Sequence, residues 1–352
     1  MNSVFPVSNL DIEQPDALLA WLRQTGRLPP SETPEIRVLA GGVSNRTVLV
    51  KRRNGVSWVL KQALPRLRVS APWFCSPERI HREALGMQWL ATLAPPGAVP
   101  GLVFEDRQNF VLAMEAVPDP HENWKTLLLN GRLDPDHVRQ FAQILGSIQR
   151  SARPVAHRLE AVFADTAFFE ALRLDPFYAH PASTLTEARP FLESLIAETR
   201  ALRLGLVHGD YSPKNILVTQ GRLVLLDHEV IHWGDPMFDV GFALAHLLSK
   251  AHRDPQRREA LGAAASLFWE HFAFTACGSV AGADCQARAV RHALGCLLAR
   301  VAGKSTLEYL DDARRLRQRT VCLELMQAPP SDIITLSERF LRGISERENL
   351  PG

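Results

Sequence analysis

The stretch Leu206-Val-His-Gly-Asp-Tyr-Ser-Pro-Lys-Asn-Ile-Leu-Val218, followed by Leu225-Leu-Asp-His-Glu229, decides how this chain is read. Residues 216 to 218 and 223 to 226 are short apolar runs. Gln220-Gly221 is the tight turn between them, so the segment reads as a β-hairpin. A hairpin of that size brings the loop before it, with Asp210 and Asn215, close to Asp227 and Glu229 after it. Phosphoryl transfer needs this convergence: one carboxylate to orient an attacking hydroxyl, and oxygen ligands for magnesium on nucleotide phosphates.

Asp, Asn, Gly and Pro are also ordinary turn residues. That alternative accounts for one of these positions easily and for all of them poorly, because Asp-His-Glu follows Leu223-Val-Leu-Leu226 directly. An uncompensated carboxylate at a buried strand end costs several kcal/mol, so a cation is its natural partner.

Composition narrows the class. With 352 residues, 46% hydrophobic and 22% charged, the chain has the makeup of a soluble globular protein and the length of two domains. Lys plus Arg number 40 against 38 Asp plus Glu, a formal net charge of +2, which gives no electrostatic case for nucleic acid. The basic run from Arg314 to Arg319 reads as a solvated helix face. Cys75, Cys277, Cys285, Cys296 and Cys322 are odd in number and lack CxxC spacing, which argues against a disulfide framework and a zinc site. No apolar run reaches membrane-spanning length, so no membrane partner is expected. The opening Met-Asn-Ser-Val-Phe-Pro lacks the basic and apolar regions of a signal peptide, and the expected compartment is the cytoplasm.

Along the chain, a short amphipathic helix is expected over 11–25, ended by Gly26. Strands follow over 35–39, 47–51 and 56–62, with Asn54-Gly55 as the hairpin turn between the last two. Residues 76–90 read as a helix with Ser76 as N-cap and Ile80, Ala84, Met87 and Leu90 on one face. Two more strands, 102–104 and 110–114, precede helices over 136–151, 187–202, 236–248, 256–274, 286–301 and 307–326. Strands first and helices afterwards predict an α+β chain with two segregated lobes. The expected division is 1–117, a nucleotide-binding lobe, and 118–352, a helical catalytic and substrate lobe.

Several residues in the first lobe have the chemistry of a nucleotide site. The segment from Ala40 to Thr47 joins the first two strands. Gly41 and Gly42 allow close backbone approach there, and Ser44 and Asn45 add polar atoms for phosphate oxygens. Alone, this segment is no more than a hairpin turn. Lys61 lies on the third strand, where it could reach α- and β-phosphates if a carboxylate held it, and Glu83 on the next helix is the candidate. At the lobe boundary, Met114, Glu115 and the residues up to Val117 could offer backbone groups to an adenine edge.

Lys61, Glu83, the His208-Gly-Asp210 to Asn215 loop and the Asp227-His-Glu229 triplet stand in the order found in kinase-like folds. They resemble the aminoglycoside phosphotransferase and choline kinase superfamily of small-molecule kinases, over roughly residues 36 to 326. Within it, residues 59–68 and 76–84 look most like methylthioribose kinase. The resemblance implies a bilobal protein-kinase-like fold, with an antiparallel N-lobe sheet, one main N-lobe helix and a largely helical C-lobe, and it implies ATP and Mg2+. It makes Asp210 the catalytic aspartate and Asn215 and Asp227 magnesium ligands, with Glu229 as a further ligand, direct or through water. His208 becomes a buried residue that orients the loop. Asp239 either braces that loop or simply complements a helix N-terminus. Lys214 either contacts the γ-phosphate or faces solvent. Tyr211, His232 and Trp233 either line the acceptor pocket or pack.

Methylthioribose kinases carry a serine at the position of Asn215, a proline at that of His228, and two adjacent arginines where this chain keeps only Arg300. The resemblance therefore does not fix the acceptor. The leading expectation is an ATP- and Mg2+-dependent kinase of a small hydroxylated metabolite, with a methylthioribose-like sugar first. An aminoglycoside-type phosphotransferase and a non-catalytic nucleotide-binding regulatory module are the alternatives. No room exists after Asp227 for the long activation segment of a protein kinase. A homodimer is left open.

Overall fold

Alternating apolar residues between 45 and 63 build the centre of a five-stranded antiparallel sheet. Its strands are β1 (Glu35–Val38), β2 (Asn45–Lys51), β3 (Trp58–Ala63), β4 (Leu102–Asp106) and β5 (Val111–Glu115), in the order β1-β2-β3-β5-β4. The computed structural model describes residues 5, 8–40, 42–53, 55–69, 72–276 and 283–348. Asn54 of the expected Asn54-Gly55 turn lies outside them. Strand alternation divides the sheet's two faces. Val48, Val50, Trp58, Leu60, Val111 and Ala113 pack under helix α1 (Pro15–Gln24) through Leu18 and Leu22. Ala63, Leu112 and Met114 pack on the other face against Ile80 and Met87 of helix α2 (Arg79–Leu93). Lys61 points to the α2 face. α2 begins three residues later than the sequence predicts, and the Ser76 hydroxyl accepts from the Glu78 N–H at 3.3 Å in a turn ahead of it.

Beyond β5 the chain is largely helical. Helices α3 (Pro135–Ala152), α4 (Arg189–Ala201), α5 (Met237–Arg253), α6 (Arg258–Ala276), α7 (Ala283–Ala302) and α8 (Asp312–Gln327) correspond to the six expected ones, with ends shifted by a few residues. Asp134 starts α3 by accepting the Asp136 N–H at 2.8 Å, a side-chain cap. A further long helix, α9 (Ile333–Glu348), and a π-helical stretch, Glu170–Ala179 with Pro176 inside it, were not anticipated. Together these helices bury one continuous apolar core, including Phe141, Phe238, Phe242, Phe268 and Phe340. Among the described residues, no helix is long and apolar enough to cross a membrane.

Two small sheets hold the segment quoted at the outset. Strands β6 (His121–Asn123), β8 (Ile216–Thr219) and β9 (Arg222–Leu225) form one, with β8 and β9 as the expected hairpin. Gln220 and Gly221 both take positive φ, 49° and 72°, as a tight two-residue turn demands. Strands β7 (Gly205–Val207) and β10 (His232–Gly234) pair antiparallel, so the excursion from 208 to 231 leaves from and returns to one fixed ladder.

Where α2 crosses that excursion, no side chain fits. A Cβ at Gly86 would stand 2.9 Å from Ile231 Cγ2 and 3.2 Å from the His228 Cβ. Gly86→Val is therefore expected to cost about 1–3 kcal/mol by overpacking, read as a lowered urea midpoint. An unchanged midpoint would mean that α2 does not rest on this segment.

Candidate active site

Three carboxylates and one ammonium meet where the sheet, α2 and the hairpin converge. Lys61 Nζ lies 2.7 and 2.8 Å from the two oxygens of Glu83 and 2.6 Å from Asp227 Oδ1. An ammonium has three hydrogens, and here each faces a carboxylate oxygen. Burial works against the charged ammonium, yet Asp227 and Glu83 hold its pKa above the usual lysine value. Burial likewise opposes ionisation of Asp227, but Lys61 and then Lys214 outweigh it and hold the carboxyl well below its ordinary range. Glu83, fully buried, is pushed up to about 7 by burial against the pull of Lys61, with Asp227 and Glu229 adding to the rise.

Asp210 stands on the other side of the hairpin. Its Oδ2 accepts from Asn215 Nδ2 at 2.7 Å and pairs with Arg173 Nη2 at 2.9 Å. The loop that presents it is tied down twice. Asp239, in the first turn of α5, accepts the backbone N–H groups of His208 and Gly209 at 2.7 and 2.8 Å, so it braces the loop and also occupies a helix N-terminus. Arg173 Nε donates to the Gly209 carbonyl at 2.7 Å. Gly209 itself takes φ of 79°, and a Cβ there would meet Val230 Cγ2 at 2.8 Å, so glycine is required on both counts. His208 Nδ1 accepts the Asp210 N–H at 3.2 Å and its Nε2 faces His228 Nδ1 at 3.0 Å. Burial lowers the His208 pKa to about 4, consistent with a neutral ring that orients the loop.

A cleft of about 1190 Å³ opens between the sheet and the helical part. Gly42, Ser44, Asn45 and Lys61 line its sheet side, and Lys214, Asn215 and Asp227 line the opposite side. Met114, Glu115 and Val117 line its inner edge. Of the backbone donors there, Glu115 N–H is bonded to the Gly101 carbonyl and Ala116 N–H to the Ser57 carbonyl, both at 2.8 Å. Val117 N–H has no acceptor among the described residues. Lys214 is exposed, and Gly41 lies outside the described residues. Glu83 and Glu229 sit behind the cleft wall.

A family model described as the phosphotransferase enzyme family matches residues 35–275, from β1 to the end of α6. This chain belongs to that family. Methylthioribose kinase of Pectobacterium atrosepticum is 25% identical over 260 residues, covering 66% of this chain and 64% of that protein. The chain thus spans less than two thirds of that relative's length. Among solved structures, amicoumacin kinase hAmiN, in complex with AMP-PNP, Ca2+ and Ami, superposes with a TM-score of 0.57 at 13% identity, over 91% of this chain and 96% of that one. A choline/ethanolamine kinase family protein from Mesorhizobium loti gives 0.53 at 14% identity, over 94% and 99%. The fold these structures share with the chain is bilobal, with an antiparallel sheet first and helices after.

Two arginines that organise this candidate site were missed in the sequence. Arg79 is fully buried and donates to Glu229 Oε2 at 3.0 Å, to the carbonyls of Cys75 and Ser76, to Leu64 at 3.0 Å and to the Ser44 carbonyl. It precedes Glu83 by one helical turn and so shares its helix face toward the site, which was the available signal, although its partner is Glu229 and not Glu83. Glu229 also accepts from Asn45 Nδ2 at 3.2 Å, so the glycine-bearing turn is locked to the segment after β9. Arg173 had no such signal, because it lies in the π-helical stretch. Tyr211, His232 and Trp233 are packing residues: Tyr211 stacks on Phe141 and donates to its carbonyl, His232 stacks on Phe169, and Trp233 donates to the Arg203 carbonyl.

Removing one member of a buried ion pair strands the other. Arg79→Met is expected to lower unfolding free energy in urea by about 3–5 kcal/mol, and adding Glu229→Met should restore a large part of it. A single variant as stable as the parent would show that Glu229 does not depend on Arg79.

Proposed function

We propose that this chain is an ATP- and Mg2+-dependent kinase that transfers the γ-phosphoryl group to a hydroxyl of a small metabolite. The carrying observation is the convergence of Lys61, Asp227, Asn215 and Asp210 along one cleft, with the family match over residues 35–275 in support. The functional division is at 117/118, with nucleotide bound mainly by the first lobe. The similarity to methylthioribose kinase makes a methylthioribose-like sugar the first acceptor to assay.

Each residue has a role in this reading. Asp210, held by Arg173 and Asn215, orients the acceptor hydroxyl and receives its proton as the new O–P bond forms and the β–γ bridging bond breaks, releasing ADP. Lys61 binds α- and β-phosphate oxygens and is itself held by Glu83. The turn carrying Gly42, Ser44 and Asn45 covers the phosphates, and Lys214 reaches the γ-phosphate from the opposite wall. Val117 N–H is the donor open to an adenine edge.

The residues fit a magnesium ion. Oxygens of Glu83, Asp227 and Glu229 lie within 4.8 Å of one another, a hard-donor set suited to that cation. Asn215 spends its Nδ2 on Asp210, so its carbonyl oxygen is free to join Asp227 as a ligand. Glu83 is clasped by Lys61, and one oxygen of Glu229 already accepts from Arg79 and Asn45, so these two serve mainly to hold Lys61 and the turn. When bound, the ion would neutralise charge on the phosphates and template the transfer.

Asp210→Asn is expected to bind AMP-PNP as the parent does while losing about 10²–10⁴ in turnover, followed as ADP release with methylthioribose and other hydroxylated acceptors. Normal turnover would remove Asp210 from the chemistry. Asp227→Asn, which keeps the shape of the side chain, should abolish the dependence of AMP-PNP affinity on Mg2+. If titrations with and without Mg2+ still differ as in the parent, Asp227 is not a ligand.

A further inference from the structure

A buried cation and a half-buried one, both close to the cleft, have no ion-pair partner among the described residues. Lys250, in the last turn of α5, is 2% exposed. Its ammonium donates to the His246 carbonyl at 3.2 Å and lies 5.5 Å from the centre of the Tyr309 ring. Arg300, near the end of α7, donates to Ser305 Oγ at 3.1 Å, and its Nε has no acceptor among the described residues. The Tyr309 hydroxyl is buried and has no partner among them either. Nearby carboxylates are engaged elsewhere, Glu308 by Lys125 and Asp210 by Arg173.

These groups lie behind residues that line the cleft or hold Asp210. Arg173, which holds Asp210, and Arg300 both lie over the Phe177 ring, at 5.7 and 5.6 Å. Lys125 and Glu308 line the cleft itself. Burial, reinforced by Lys125 and Arg300, brings the Lys250 pKa down to about 7, as expected of an ammonium surrounded by positive charge. A fold gains nothing from buried cations without counter-charges. An ammonium, a guanidinium N–H and a phenol are, however, the donors that recognise an oxyanion.

We propose that the acceptor carries an anionic group, a carboxylate or a phosphoryl group, which Lys250, Arg300 and Tyr309 hold while its hydroxyl meets Asp210. This deepens the kinase reading above and rests on it. It also sets the acceptor apart from polycationic aminoglycosides, which would meet Lys250 and Arg300 as like charges, and from a neutral sugar, which would leave Lys250 unpaired.

The test compares acceptors of one hydroxyl skeleton with and without the charge. Gluconate against glucose, and glycerate against glycerol, are titrated into the full chain with and without saturating Mg·AMP-PNP, with melting temperature and calorimetric affinity as readouts. The acids should raise the melting temperature and their neutral counterparts should not. Lys250→Met and Arg300→Met should each weaken acid binding by about tenfold or more, with AMP-PNP affinity unchanged. Neutral compounds protecting as well as acids, or both variants binding acids like the parent, would overturn the proposal. AMP-PNP binding with no response to either acid would also overturn it and leave the kinase reading standing. Failure to bind AMP-PNP would instead sink the kinase reading, while acid binding without nucleotide still reads out Lys250 and Arg300. Should Lys250→Met not fold, Arg300→Met and the acid–neutral comparison decide.

Discussion

The ammonium of Lys61 joins three parts of the chain that are far apart in sequence. It sits on the central strand of the sheet, and its three hydrogens go to a carboxylate of α2 and a carboxylate that follows the β8–β9 hairpin. Burying any one of these charges alone would be strongly unfavourable, and together they are tolerable because each is the other's partner. The sheet, the helix and the hairpin are thereby fixed in one mutual arrangement. The cost of charge burial, which a hydrophobic contact would avoid, secures a specific geometry for the charged groups at the cleft.

A second buried tie runs parallel to the first. Arg79 reaches from α2 to the carbonyls of Ser44 and Leu64 and to Glu229, and Asn45 meets the same carboxylate. The turn over the cleft and the floor beneath it therefore hold a common spacing. On the far side, Asp239 and Arg173 anchor the loop that presents Asp210 through its backbone, which leaves the side chain of Asp210 to face Asn215. Anchored backbone with a carboxylate held in one orientation, here by Asn215 and Arg173, is what preorganised electrostatics requires.

Much of this was legible because the signals were local. The β8–β9 hairpin and its turn follow from short-range pattern, and the proximity of Lys61 to Glu83 follows from strand alternation plus the next helix. The order of strands and helices gave the two-part architecture. Helix starts were less legible: α2 begins at Arg79 because Ser76 and Pro77 are used in turns ahead of it. The helix α9 carries Ile333, Leu336, Phe340 and Ile344 at helical spacing, a pattern present in the sequence but not followed past 326. For Tyr211, His232 and Trp233 the residue type alone suits either a pocket or a core. Only their hydrogen bonds and stacking partners decide, and those come from residues 30 to 70 positions away. The unpaired charges of Lys250 and Arg300 were invisible for the same reason, since what matters about them is which groups do not surround them.

The π-helical stretch Glu170–Ala179 aims Arg173 at Asp210 and Gly209. In regular α-helix each residue advances the side chain by about 100°, so one residue inserted or deleted ahead of Arg173 would swing its guanidinium away from the loop. The wide turn thus makes the length of this stretch, and not only its composition, part of what positions Asp210. Descendants of this chain can vary the exposed side chains of the stretch, but a change of length there has to be matched by a new residue in reach of Asp210.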